Sequence, residues 1–284
     1  MHPPGSPHPP PHIPDRPLAV PRAAVVGSPV AHSLSPVIHR AAYAALGLSA
    51  WSYDAIECDA NRLCDLLAGG DFAGLSVTMP LKRVALDAAD VVCDRARAVG
   101  AANTLVRRDD GWHADNTDID GVLGALRDGG VVDATGAVIL GAGGTARAAL
   151  AALRELGEPE PTVLVREPGR AGELRAAAER LGMRPRVLRG MDRTELFRAP
   201  VVICALPAGA ADRLADAAWW TGNGTLLDVV YTPWPTPLAE STARAGRHVV
   251  GGREVLLHQA IGQVRKMTGR SAPIDAMRAA LPQA

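Results

Sequence analysis

Two lysines, Lys82 and Lys266, stand in a chain that otherwise carries its positive charge on 28 arginines. An arginine does not exchange its proton near neutral pH, whereas a lysine can be tuned to do so, which makes each of the two a candidate for acid–base work. The ordinary alternative for Lys82 is a surface residue at a helix start. A second candidate is the cluster Gly141-Ala142-Gly143-Gly144-Thr145-Ala146, which follows the apolar run 137–140 and opens the alanine-rich stretch 146–156. Strand, glycine turn and helix in that order make a cradle for a pyrophosphate. Gly141 supplies the tight turn, Gly143 lets the backbone approach, Ala146 allows close helix–strand packing, and the helix N-terminus offers free N–H groups. The alternative is a tight turn with no ligand. A third candidate is the pair Ser33 and Ser35, which alternate around Leu34 so that in an extended loop both hydroxyls face one side. Ser35, before Pro36, is expected to cap a helix. One cap needs one serine, leaving the second hydroxyl to a ligand.

The hydrophobic pattern indicates which elements hold these residues. A short strand at 18–20 or 23–26 ends in Gly27, and a helix then runs to about Leu46. A strand at 51–56, a helix at 61–67 and a strand at 74–79 follow, so Ser76, Thr78 and Lys82 fall at a strand's carboxyl end. Open α/β sheets bind ligands at that edge. A helix at 84–89 leads to a turn and strand at 99–106. The polar run 115–118 opens a helix at 119–126, with Thr117 or Asp118 as the expected N-cap. From Val138 onward, strands at 138–140, 162–165, 186–188, 201–205, 225–229 and 249–250 are interleaved with helices at 145–156, 171–181 and 192–197. Alternation of this kind predicts a doubly wound parallel sheet. The stretch 254–268 is apolar at helical spacing and is expected to pack back on the first part of the chain. Residues 1–18, with eight prolines and three histidines, read as a disordered tail.

Composition narrows the function. The 284 residues suffice for two domains, and 48% apolar with 21% charged residues is a globular composition. Thirty basic residues balance thirty acidic ones, so no global field draws the chain to nucleic acid or an anionic membrane. No apolar run approaches the roughly 20 residues of a membrane span, and the N-terminus lacks the pattern of a secretion signal. Cytoplasmic localisation is the expectation. Cys58, Cys64, Cys93 and Cys204 form no close pair and read as reduced thiols, and no metal site is expected.

The segments GSPVAHSLSPVIH, GLSVTMPLK, VGAANT, DNTD, LGAGGTARAA, DVVYTPWPTPL and GGREVLLHQA, in this order and spacing, resemble the shikimate dehydrogenase family over nearly the whole chain from about residue 20. The resemblance implies an α/β protein of two domains. An N-terminal substrate domain would comprise 19–119 and 253–284, with a C-terminal helix returning to it. A Rossmann-type doubly wound nucleotide domain would comprise 120–252. It implies reversible reduction of 3-dehydroshikimate to shikimate with NADPH, in the pathway to chorismate and the aromatic amino acids. It also implies a small-molecule substrate, a monomer or homodimer, and neither a nucleic-acid nor a membrane partner.

The same resemblance assigns roles. Ser33 and Ser35, assisted by Tyr231, hold the substrate carboxylate, and neutral hydroxyl donors suit that task. Thr78, Asn103, Asp118 and Gln259 occupy the positions that bind ring hydroxyls. Lys82 and Asp118 carry proton transfer: hydride arriving at the carbonyl carbon leaves charge on oxygen, which an ammonium stabilises and protonates while its carboxylate partner orients it. The glycine cluster, Val229 and Gly252 face the cofactor. Arg166 and Arg170 match the arginines of the family's NRTxxR pattern and can clamp a 2′-phosphate. The departures are Val165 and Glu167 in that pattern, ICALP at 203–207 where the family has INATP, and Ser76 in place of a common asparagine. Glu167 opposes a phosphate or serves a ribose, so NAD is a weaker alternative cofactor. Other readings are a quinate or aminoshikimate dehydrogenase and a non-catalytic ligand sensor. The retained Lys82 and Asp118, and the lack of a basic DNA-binding segment, count against the sensor. A folate-pathway or tRNA-linked reductase sharing only the nucleotide domain leaves the serine loop unexplained.

Overall fold

Strand β1 (Arg22–Gly27) is buried from Ala23 onward, as a central strand covered on both faces must be. The computed structural model describes residues 21–69, 72–190, 194–216 and 219–282. The proline-rich segment 1–18 and the alternative first strand at 18–20 lie outside the described residues, as does the start of the helix expected at 192–197. After β1 come α1 (Ser35–Ala45), β2 (Ser52–Glu57), α2 (Ala60–Gly69), β3 (Gly74–Val77), α3 (Lys82–Asp87), β4 (Val91–Val92), α4 (Asp94–Val99), β5 (Thr104–Arg108), β6 (Gly111–Asp115) and α5 (Asp118–Asp128). Their strands form one sheet in the order β2-β1-β3-β5-β6-β4. Strands β2 and β3 run parallel to β1, whereas β5 is antiparallel to both β3 and β6.

The second sheet uses β7 (Val138–Leu140), β8 (Thr162–Val165), β9 (Arg186–Arg189), β10 (Val201–Cys204), β11 (Thr225–Asp228) and β12 (His248–Gly251). Its order is β12-β11-β10-β7-β8-β9, all parallel. This is the doubly wound order, and the chain reverses direction across the sheet between β7 and β10, where such sheets open a crevice for a dinucleotide. Helices α6 (Gly144–Glu155), α7 (Gly172–Leu181), α8 (Thr194–Arg198) and α9 (Pro237–Arg244) complete the crossovers.

Two long helices join the halves. From α5, Ile119, Val122 and Leu126 enter the core of the second sheet beside Ile139 and Ala146. From α10 (Gly252–Thr268), Leu257, Ala260 and Val264 enter the core of the first beside Val25, Ile38 and Tyr53. The two helices lie against each other in opposite directions, through glycines. A Cβ at Gly121 would stand 2.7 Å from the Val255 carbonyl oxygen, and one at Gly262 would stand 2.9 Å from Thr117 Cγ2. A final helix, α11 (Ile274–Ala279), follows Pro273. Among the described residues no helix is long and apolar enough to cross a membrane, and all four cysteines are free.

Candidate active site

Lys82 opens α3 directly beyond β3, where the buried Leu81 and a bond from the Ala102 N–H to the Lys82 carbonyl (2.9 Å) anchor its backbone. Its Nζ donates to Asp118 Oδ2 at 2.6 Å, with the two side chains 18% and 13% exposed. Asp118 is the first residue of α5, so two distant helix starts supply the two charges. Asn103 fixes the carboxylate from the other side. Its Oδ1 accepts from the Thr117 N–H (2.7 Å) and from the Thr104 hydroxyl (2.8 Å), which turns its amide group toward Asp118 Oδ1 (2.9 Å) and Gln259 Oε1 (3.1 Å). A pair this far withdrawn from water keeps its geometry only if its remaining polar atoms are satisfied, and Asn103 does that for Asp118. Thr117 occupies the N-cap position of α5, as one of the two expected, but no side chain makes a capping bond. The Thr117 hydroxyl is spent on Asn103 and Thr104, and the Asp118 carboxylate on Lys82 and Asn103, rather than on the first turn of α5.

Lys82, Asp118, Asn103, Thr78 and Gln259 line a cavity of about 270 Å³. Ser33, Ser35 and Tyr231 line the same cavity. The serine loop differs from expectation. Leu34 is helical (φ −83°, ψ −4°) rather than extended, and Ser35 is the first residue of α1 rather than its cap. Ser33 takes the turn instead, accepting from the Ser35 N–H at 3.2 Å. The loop is held from β2 by Glu57, which accepts from the Ser28 hydroxyl (2.5 Å) and the Val30 N–H (3.2 Å). At Gly27 a Cβ would lie 2.4 Å from Thr78 Cγ2, so only glycine lets the end of β1 pass this close to Thr78. Burial raises the Tyr231 phenol above its ordinary pKa.

Gly141, Ala142 and Gly143 line a second cavity of about 460 Å³, with Arg166, Glu167 and Arg170. Gly141 has φ +104°, and a Cβ there would press on the Ala205 carbonyl at 3.2 Å. A Cβ at Gly143 would meet nothing within 4 Å, which leaves this backbone open to a close ligand. Ala146 is fully buried between α6 and the sheet. The turn, the start of α6 and the arginines beyond β8 therefore fit a dinucleotide phosphate group. Thr145, Val229 and Gly252 line the first cavity, not the second, so residues assigned to cofactor and to substrate meet there. Gly252 passes so close to Val229 that a Cβ has no room.

The second lysine has another fate. Lys266 on α10 is ion-paired with Asp115 at the end of β6. Burial alone would raise the Asp115 carboxyl, and the Lys266 ammonium overcomes this and holds it below the usual range. Beneath the first cavity lie residues that the sequence did not single out: His39, Tyr53 and Gln263, joined to Ser76. Gln263 stands one turn after Gln259, and that i, i+4 spacing was a usable signal. His39 and Tyr53 sit in apolar runs and gave none. Asp228, at the carboxyl end of β11, accepts from the Thr236 hydroxyl (2.7 Å) and the Val230 N–H (3.2 Å) and so holds the loop that carries Tyr231. Burial raises its carboxyl.

Comparison with known proteins places this geometry. Residues 25–105 match the family model of the shikimate dehydrogenase substrate binding domain, and residues 252–281 that of the shikimate 5′-dehydrogenase C-terminal domain. The chain is 41% identical over 259 residues to the shikimate dehydrogenase (NADP(+)) of Caulobacter vibrioides, across 87% of this chain and 89% of that one. The crystal structure of Mycobacterium tuberculosis shikimate dehydrogenase matches with a TM-score of 0.84 at 45% identity, covering 92% of this chain and 98% of that one. The Thermus thermophilus enzyme, solved in complex with NADP(H) and shikimate, matches with a TM-score of 0.80 at 34% identity, covering 92% and 100%.

Proposed function

The chain belongs to the shikimate dehydrogenase family, and we propose on that premise that it catalyses the reversible, NADP-dependent reduction of 3-dehydroshikimate to shikimate, an oxidoreductase step at a CH–OH group in aromatic amino-acid biosynthesis. The observation that carries this reading is the Lys82–Asp118 pair, set in one cavity with Ser33, Ser35 and the cofactor-side residues Thr145 and Val229. Residues 19–119 and 253–284 serve the substrate, and 120–252 the cofactor. Bound NADPH supplies the hydride. Ser33 and Ser35, with Tyr231, anchor the carboxylate, while Thr78 and Gln259 contact ring hydroxyls. As the substrate carbon takes hydride, its oxygen gains negative charge, and Lys82 Nζ donates the proton that completes the alcohol. Asp118 holds the ammonium in place, and Asn103 holds Asp118. Lys82 then regains a proton from solvent, to which it is partly open. In the oxidising direction the same groups run in reverse. The enzyme acts in the cytoplasm.

The test is a parallel assay of purified protein with shikimate and quinate, each with NADP⁺ and NAD⁺. Shikimate with NADP⁺ is the expected best pair. Lys82→Ala should lower kcat by about 10²- to 10⁴-fold, the usual worth of a general acid, with a smaller change in KM for shikimate. Absence of activity on both substrates would overturn the assignment.

A further inference from the structure

Ser76 lies on β3 and lines the first cavity, 3% exposed. We propose, building on the reaction above, that Ser76 is a specificity-determining residue that faces the substrate as a hydrogen-bond acceptor only. It thereby selects a ring substituent that carries a proton to donate, a hydroxyl or an amino group.

A count of protons leads to this. Gln263 Nε2 lies 3.2 Å from the Asn103 carbonyl oxygen, which can only accept, and 3.3 Å from the Thr104 hydroxyl, whose proton already goes to Asn103 Oδ1. The Gln263 amide nitrogen must therefore point that way, and its Oε1 must face Ser76 and His39. Oε1 only accepts, so the Ser76 proton is committed to it at 2.9 Å. The Tyr53 hydroxyl stands 2.6 Å from Ser76 Oγ. With the serine proton already spent, Tyr53 is the donor in that contact. Ser76 thus gives its one proton to Gln263 and one lone pair to Tyr53, and it presents only the remaining lone pair to the cavity.

The surroundings hold this arrangement, with the Ser35 hydroxyl as a second neighbour of Tyr53. Tyr53 is fully buried, and its ring stacks on His39 with centroids 4.0 Å apart and planes 15° from parallel. Burial raises the phenol far above its ordinary pKa, so its proton is permanently available. His39 Nε2 donates to the same Gln263 Oε1 at 3.1 Å, which places the histidine proton on Nε2, and burial keeps the ring neutral. A substrate oxygen with no proton, opposite Ser76, would meet lone pair against lone pair. A hydroxyl or ammonium would meet an oriented acceptor, and an amino-substituted shikimate is accommodated on the same terms. Tyr53 acts through Ser76 and is a positioning residue.

The experiment compares shikimate with analogues altered at each ring hydroxyl that does not react: a deoxy form, which lacks the donor, and an amino form, which retains it. For one of the two positions the native enzyme should show kcat/KM at least 100-fold lower for the deoxy form, with the amino form within about tenfold of shikimate, since sites built around a substrate hydroxyl reject analogues that lack it. Ser76→Ala should lower kcat/KM for shikimate about 10- to 100-fold and leave the deoxy form within about threefold, collapsing the ratio between them. Tyr53→Phe retains the stack on His39 and frees only a lone pair of Ser76, whose proton stays on Gln263, so it should leave that ratio within about threefold of native. A role limited to folding would lower both substrates together. An unchanged ratio in Ser76→Ala, or a ratio collapsed by Tyr53→Phe, alongside native activity on shikimate, overturns this inference and leaves the reaction standing. A native enzyme inactive on shikimate overturns the reaction itself.

Discussion

At the scale of single residues, the side chains are arranged by what each can give and accept. The Ser35 N–H occupies a lone pair of Ser33, which leaves the Ser33 proton for a carboxylate. The amide of Asn103 bonds Asp118 and Gln259 at the wall of the cavity and orders both. Opposing charges meet in the second cavity, where Arg166 and Arg170 stand with Glu167. Two guanidinium groups attract a 2′-phosphate, whereas a carboxylate at the end of the second strand is the usual partner of a free ribose hydroxyl. We expect Arg166→Ala to raise KM for NADP⁺ by about 10- to 100-fold, the worth of a charge-assisted contact, and KM for NAD⁺ by less than threefold. Glu167→Gln should shift preference further toward NADP⁺. Steady-state kinetics with both cofactors decide it, and equal effects of Arg166→Ala on the two would remove the clamp.

At the scale of elements, the contact of α5 with α10 sets the distance between Asp118 and Gln259. Replacing a mid-helix glycine by alanine ordinarily favours the helix by up to about 1 kcal/mol. At Gly121 the added Cβ would press on the Val255 carbonyl oxygen, a backbone atom that cannot turn aside, at 2.7 Å, and would crowd Gln259 Cβ at 3.1 Å. Overpacking of this kind costs about 1–3 kcal/mol. Gly121→Ala should therefore lower Tm by about 2–5 °C and raise KM for shikimate as Gln259 is displaced; a higher Tm in a thermal melt would refute this packing account. The elements also show what the sequence could convey. Strands β7, β8, β10 and β11 are fully buried runs flanked by glycine or proline, and their positions were legible to within a residue. The two-residue β4, the six-residue α4 and the antiparallel pairing of β5 with β6 were not, because elements so short carry no period and rest on tertiary contacts. Lys82 and the serines stood out by type and position, whereas Asp118 as the partner of Lys82 came only from the family resemblance. The layer beneath them, with His39 from α1, Tyr53 from β2 and Gln263 from α10, exists only once the chain has folded.

At the scale of the whole molecule, that layer ties the C-terminal helix to the first sheet, and its neutrality links stability to pH. His39 is fully buried, stacks on Tyr53, and on its other side approaches Tyr43 edge-on. Burial lowers its pKa from 6.5 to about 4, opposed only in part by the bond to Gln263. Protonation would put a charge and a second N–H into a place where, among the described residues, Nδ1 has no partner. Between pH 4 and 6.5 the unfolded chain therefore binds a proton at this residue that the folded one does not, and stability rises with pH through that window and levels off above it. The difference from this one group between pH 5 and pH 7 is about 2 kcal/mol. His39→Phe retains an aromatic ring against Tyr53 and cannot titrate. Whatever it costs at pH 7, its stability relative to the native protein should improve by about that amount at pH 5, measured by urea unfolding at the two pH values. A stability difference that is the same at both would show that His39 takes up its proton in the folded protein, and that the layer tolerates the charge.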